Sequence, residues 1–316
     1  MKNLVAVAGL IWLALCGAAA AQLPSTVKII VPYAPGGSVD LLSRLLGEQI
    51  SRTRGVTVIT ENKPGASAII GTEAVARAAP DGATVGFVAN SFIINSQIRK
   101  LSYDPLTSFE PICHLVDSPQ VIVVNAKSPY KTLADFLAAA RAKPGELSVG
   151  ALGPATTQHV AVAVFLKTAK IDLNFVPFQG GAPATNALLG GHVTSIIGNY
   201  SEVAPQVEAG ELRVLATTAA SRISSLPDIP TTRDAGLDFE VTAWFAMVTT
   251  GKTPASIVAS LIEAFSGALK TPEMQARLKP LQLYTANVCG AQFAAFLRQQ
   301  NDAMGPIVRE AGIKLD

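Results

Sequence analysis

Residues 29–50 read IIVPYAPGGSVDLLSRLLGEQI. An apolar, β-branched run ends at Val31, a Pro-Gly-Gly corner follows at 35–37, and a helical period opens at Ser38, with Val39, Leu42, Leu45, Leu46 and Ile50 on one face. A strand that turns through a tight corner into an amphipathic helix is the unit from which parallel sheets wound with helices are built. The corner lies at the carboxyl end of its strand, where open α/β sheets take their ligands. Glycines without Cβ let backbone N–H groups come close to a guest, and the helix start leaves its first N–H groups unpaired beside about half a positive charge. Gly36, Gly37 and Ser38 therefore suit a carboxylate or phosphate. A plain turn capped by Ser38, with Asp40 as a first-turn acid, reads equally well. The motif is not G-x-G-x-x-G and no P-loop lysine follows it, which disfavours a nucleotide cradle, and no cofactor is expected.

Outward from this corner the pattern repeats. Strand-like runs at 28–31, 57–61, 84–88, 120–125, 147–149, 174–176, 194–197, 213–217 and 244–249 alternate with helical ones at 38–51, 66–78, 133–142, 156–168, 182–189, 201–208, 254–269, 272–279 and 291–311. At 316 residues the chain exceeds the roughly 250 to 300 residues at which single cores stop growing, so two domains are expected. Turn-rich, polar segments after Asn125 and between Arg222 and Val241 bracket a middle part. The division expected is residues 22–125 plus 242–316 as one lobe and 126–241 as the other, the chain crossing twice near Asn125 and near Val241 and Thr242. A cleft between two α/β lobes is a usual place for a small ligand.

Charged residues make up 15% of the chain against roughly 25% in ordinary soluble proteins, and the net charge is +2. That balance carries no basic stripe for nucleic acid. The N-terminus reads as an export signal over residues 1–21: Lys2, an apolar run from Leu4 to Leu15, then Ala19-Ala20-Ala21 before Gln22. Cleavage near Ala21 would release the mature chain as an exported protein. Cys113 and Cys289 remain, as a long-range bridge or as two buried thiols. The three histidines lie far apart and no metal-binding spacing is present, so no metal site is expected.

A second corner resembles the first. After the strand at 147–149, Leu152, Ala155, Thr156 and Thr157 lie in a small-residue loop, and a helix starts at Gln158. If the lobes face each other, two positive helix ends would hold an anion between them without Lys or Arg. The loop Val176-Pro177-Phe178-Gln179-Gly180-Gly181 again joins a strand to a helix, with Phe178 a wall or a core residue and Gln179 a donor or acceptor, and Asn199 ends the strand at 194–197 on the same rim. An exported hydrolase or lyase acting on an organic acid is the rival reading, with Ser38, His159 and Asp40 as its candidate residues. Neither a G-x-S-x-G elbow nor a carboxylate pair supports it. A sensor subunit presenting a bound ligand shares every feature above.

The stretches VPYAPGGSVDLLSRLL, ENKPGASAIIGTEAVARAAPDGAT, GALGPATTQH, VPFQGGAPATNALLGGHV, LPDIPTTRDAG and TAWFAMVTTGKTP, in this order, resemble the Bug-type substrate-binding proteins of tripartite tricarboxylate transporters along nearly the whole mature chain. The resemblance implies a two-lobe, type II-like periplasmic binding protein fold, each lobe a mixed, mostly parallel sheet flanked by helices. It implies no catalysis, a small organic carboxylate as ligand, integral membrane transporter subunits as partners, and a monomer. Carried over by position, Tyr33, Ala34, Gly36, Gly37 and Asp40, then Leu152, Ala155, Thr156 and Thr157, then Phe178 and Gln179 would contact the ligand. The chain departs from the family at Ala155 and Ala246, where glycines are usual, at Thr156 and Thr157, where serines are usual, and at Thr194 and Gly198, where many relatives carry aspartates.

Overall fold

The computed structural model of the chain describes residues 23–310, so the expected leader over 1–21 lies outside the described residues. The first part runs β1 (Thr26–Val31), α1 (Ser38–Arg54), β2 (Thr57–Asn62), α2 (Ile69–Ala76), β3 (Thr84–Ala89) and α3 (Ser91–Ile98). A 17-residue strand, β4 (Phe109–Asn125), then leads into α4 (Leu133–Ala142), β5 (Ser148–Leu152), α5 (Thr157–Ala169), β6 (Asn174–Phe178), α6 (Gly181–Leu189), β7 (Ser195–Asn199), α7 (Tyr200–Glu208) and β8 (Leu212–Thr217). The chain returns through β9 (Thr242–Thr250), α8 (Ala255–Lys270), α9 (Pro272–Leu278), β10 (Tyr284–Cys289) and α10 (Ala291–Glu310).

Two sheets share β4. From Phe109 to Pro119 it pairs antiparallel with β9, and β10 lies along its other edge. From Gln120 to Asn125 it pairs antiparallel with β7 on one side and, from Val121, with β8 on the other. The first sheet continues from β9 through β3 and β1 to β2, and the second from β7 through β5 to β6, with parallel pairing among β1, β2 and β3 and among β5, β6 and β7. Each sheet is mixed, parallel in its outer strands and antiparallel beside the strand that passes between the two.

Helices cover both faces of both sheets, which is why the buried side chains fall into four clusters. One face of the first sheet packs Ile29, Val31, Phe87 and Met247 against Leu42, Leu46 and Phe265 of α1 and α8, and the other packs Val88, Trp244 and Val248 against Phe92, Phe293 and Leu297. The second sheet does the same with Ile122, Val149 and Ile197 against Phe136 and Phe165, and with Val121 and Ile196 against Leu188 and Val203. Cys113 on β4 and Cys289 on β10 stand opposite each other in the strand register and form a disulfide that closes a 176-residue separation.

Three elements escape a reading by periodicity. The first half of β4 contains Pro111, Asp117 and Pro119 and two register irregularities, and β10 is bulged between Thr285 and Val288, with Asn287 at φ 50°. Residues 91–95 of α3 are all buried, so this helix has no polar face to give it a period.

Candidate functional site

A cavity of about 150 Å³ opens where the amino ends of α1, α5, α6 and α7 converge. Each helix leaves its strand at the carboxyl end, so four sets of first-turn N–H groups point toward one volume. The first corner contributes Tyr33, Ala34, Gly37 and Ser38; the second contributes Leu152, Thr156 and Thr157; the third contributes Gln179 and Gly180; and Asn199 completes the set. Ten of the sequence-predicted residues thus share one wall-to-wall space. Gly36, Asp40, Ala155 and Phe178 do not line it.

The four outliers have definite places. Gly36 adopts φ +84° with nothing near its absent Cβ, so it shapes the turn. Asp40, 4% exposed at its side chain, accepts the Gly36 N–H (3.0 Å), Arg44 Nε (3.1 Å) and Asn62 Nδ2 (3.0 Å). Burial raises its pKa, but the Arg44 guanidinium and the two N–H donors outweigh that and hold the carboxyl below its ordinary value. Asp40 is therefore a brace for the corner. Ala155, at φ 62° with its methyl fully buried, takes the left-handed conformation in which glycine is the ordinary choice. Phe178 packs over Gly150 and lines an adjoining recess with Gly153, Pro154 and Ser67.

Thr156 caps α5, its Oγ1 accepting the His159 N–H (3.2 Å) and donating to the carbonyls of Leu152 and Gly153. Tyr33 and Ser91 share a hydroxyl bond of 2.7 Å at the cavity wall, and burial pushes the Tyr33 phenol well above its usual range. Ser38 Oγ meets Ser201 Oγ at 2.6 Å and donates to Glu202 Oε1 at 3.3 Å, joining α1 to α7 across the space. On another side, Ser67 Oγ donates to the Pro154 carbonyl at 2.6 Å. Ser67 belongs to a loop in which Ala66, Ser67 and Ala68 all have positive φ, a strained run that sets α2 beside the second corner.

The three residues of the hydrolase reading do not come together. Ser38 is engaged by Ser201 and Glu202, Asp40 by Arg44 and Asn62, and the His159 ring stacks on Phe175 with centroids 4.9 Å apart. Burial lowers the His159 pKa.

Several lining residues had no sequence expectation. Ala89 ends β3 and Ser91 opens α3 just beyond it, and Ala243 and Phe245 lie on β9. The same strand-end rule that picks out Gly37 applies to 89–91, whereas β9 runs antiparallel and presents its amino end. Glu202 also lines the cavity. It stands three residues after Asn199, the residue before α7, so its signal was that of an ordinary first-turn acid.

Residues 42–313 match the sequence profile of the tripartite tricarboxylate transporter family receptor. A Cupriavidus necator protein encoded in the gbd 5' region is 31% identical over 287 residues, covering 91% of this chain and 88% of its own. Among solved structures, the periplasmic binding protein BugD superposes with a TM-score of 0.87 at 30% identity, over 92% of this chain and 98% of its own. MatC from Rhodopseudomonas palustris, with bound malate, gives 0.81 at 28% identity over 90% and 98%. A second R. palustris protein, with adipate, gives 0.86 at 28% identity over 92% and 98%.

Proposed function

The chain belongs to the tripartite tricarboxylate transporter family receptors, and from that premise we propose that it captures a small organic carboxylate in the cavity at the four helix ends and presents it to membrane subunits of such a transporter. It is a solute-binding receptor with the α/β fold of periplasmic binding proteins, and its family consists of binding proteins rather than enzymes. The observation that carries the ligand class is the convergence of first-turn N–H groups and hydroxyls on a space lined, among the described residues, by no Lys or Arg. Backbone donors at helix starts stabilise a carboxylate without a formal cation. Malate and adipate, bound by two relatives, are carboxylates of this size class.

The ligand contacts proposed are Tyr33, Ala34, Gly37, Ser38, Leu152, Thr156, Thr157, Gln179, Gly180 and Asn199, with Gly36, Asp40, Ala155 and Phe178 acting from behind by holding the corners in shape. The two lobes proposed are residues 22–125 with 242–316 and residues 126–241, with residues 120–125 at the end of β4 reaching across to pair within the second sheet. Closure is a population shift driven by a ligand that touches both. The bending points proposed are the stretch of β4 around Pro119 and Gln120, where its partners change, and the start of β9. Export to the periplasm with cleavage near Ala21, and action as a monomer, complete the reading.

The test is a thermal-shift screen of the purified protein against mono-, di- and tricarboxylates, amino acids and aromatic acids, with matched neutral amides as controls. A ligand that binds only the folded form raises the apparent Tm. Carboxylates that raise Tm while their amides do not support the proposal; stabilisation by the amides alone, or by no compound of the panel, counts against it.

A further inference from the structure

Glu202 is the one side chain of the cavity whose chemistry runs against a simple anion site. Its carboxyl stands among the amino ends of α1, α6 and α7, and Oε1 accepts from Ser38 Oγ and from Asn199 Nδ2, each at 3.3 Å. Gly181 makes room for it, since a Cβ there would lie 2.2 Å from Cδ, whereas a Cβ on Gly37 or Gly198 would sit at ordinary contact distance, 4.0 Å and 3.7 Å from its oxygens. Oε2 is enclosed and has no hydrogen-bond partner. An unanswered carboxylate oxygen in an enclosed site costs free energy until a donor arrives.

Among the described residues, the surroundings do not supply that donor. From α1 the facing side chain is Ser38, already used, while Asp40 is turned to Arg44 and Asn62. Gly181 of α6 has no side chain, and Asn199 before α7 is bound to Oε1. Tyr33, the other titratable group of the lining, is bonded to Ser91. A second carboxylate brought here by a ligand would meet Glu202 at short range in a low-dielectric space, where like charges repel strongly.

Within the carboxylate class, we propose that Glu202 makes the cavity selective for ligands whose other end carries an ammonium group, amino acids in the broad sense, over dicarboxylates. The inference rests on the proposed function: the ligand carboxylate sits on the helix ends at Thr156 and Thr157, and its ammonium answers Oε2. A zwitterion then neutralises the buried acid and satisfies both ends of the site at once. Linkage gives this a sign. Burial raises the Glu202 pKa, partly offset by the donors of Asn199 and Ser38, and an ammonium partner would bring it back down. Binding of an ammonium ligand therefore strengthens as pH rises through the raised value and levels off above it.

The experiment is calorimetric titration of the purified protein, wild type and Glu202→Gln, with two isosteric pairs: 4-aminobutanoate against glutarate, and 5-aminopentanoate against adipate. The expected result is that wild type prefers the amino member of a pair by about tenfold or more. Glu202→Gln, which keeps an acceptor for Ser38 and turns a donor toward the cavity, should weaken that member by about a hundredfold and leave the dicarboxylate equal or tighter. Wild-type affinity for the amino member should rise as the pH is raised from acid through neutral, across the elevated Glu202 value, and then level off. If Glu202→Gln unfolds, Glu202→Asp, which keeps the charge but withdraws it by one methylene, takes its place and should weaken the amino member in the same direction. Equal affinity for both members, an unaltered amino affinity in the variant, or an affinity that falls with rising pH overturns the inference while leaving the carboxylate reading in place. Failure of all four compounds to bind either protein, while another carboxylate of the thermal-shift panel still binds, would overturn this inference alone; failure of that whole panel as well would remove the carboxylate reading with it.

Discussion

Gly36 and Gly37 are neighbours in the first corner with different reasons to lack a side chain. Gly36 needs its positive φ, whereas Gly37, at φ −80°, leaves space toward the cavity, its nearest would-be contacts being 3.8 Å and 4.0 Å away. Alanine at Gly37 is expected to leave stability within about 0.5 kcal/mol. Gly181 is the opposite case, because its Cβ would collide with the Glu202 carboxyl. Gly181→Ala should cost about 1–3 kcal/mol in denaturant unfolding, and most of that loss should vanish when Glu202→Ala is present as well; additive losses would show that the two do not share the space. Asp40 adds a pH signature. Its folded pKa lies below the unfolded one, so the stability it contributes is complete above about pH 4 and fades as pH falls through the depressed value. Asp40→Ala should cost about 2 kcal/mol near neutral pH and flatten that acid limb, as measured by unfolding at a series of pH values. Small residues at strand ends made most cavity positions legible in the sequence. Glu202 was not, since an acid in a first turn looks the same whether it faces solvent or a cavity, and the role of Asp40 needed Arg44 and Asn62, four and 22 positions away, to come into contact with it.

Among the elements, α1 was readable almost to its last turn because one face is apolar and Gly55 stops it in the left-handed conformation. β4 was half visible. Its second half, VIVVN at 121–125, is a plain apolar run, while the first half carries the prolines and bulges that come with pairing to two partners of different register. β10 depends on that pairing and on the disulfide, neither of which local pattern reveals. The Cys113–Cys289 bridge spans 176 positions, and loop-closure entropy puts its contribution at about 5 kcal/mol. Cys113→Ser with Cys289→Ser should lower Tm markedly, and treatment of the wild type with a strong reductant should reproduce the effect; an unchanged Tm in both would mean that the sheet pairing of β10 suffices without the bridge.

At the scale of the molecule, the alternation of strands and helices announced an α/β fold, but the sharing of one strand by two sheets is a long-range fact with no local signature. Across the cavity, Ser38 ties α1 to Ser201 and Glu202, and Ser67 ties its loop to Pro154. Removing the first tie with Ser38→Ala should favour an open arrangement by about 1 kcal/mol, roughly a fivefold change in population. Small-angle scattering of the ligand-free variant should then give a larger radius of gyration than wild type; identical curves would count against Ser38 as a clasp. The disulfide has a further consequence for how the chain transmits force. Everything between Cys113 and Cys289, including the whole second sheet, lies inside a covalent loop. Tension applied at the two termini runs through the sulfur bridge and bypasses that loop. Pulled from its ends, the oxidised protein can lengthen only by paying out β1 to β3, α10 and their connections, while the half containing β5 to β8 carries no load until a thiol reagent cuts the shortcut.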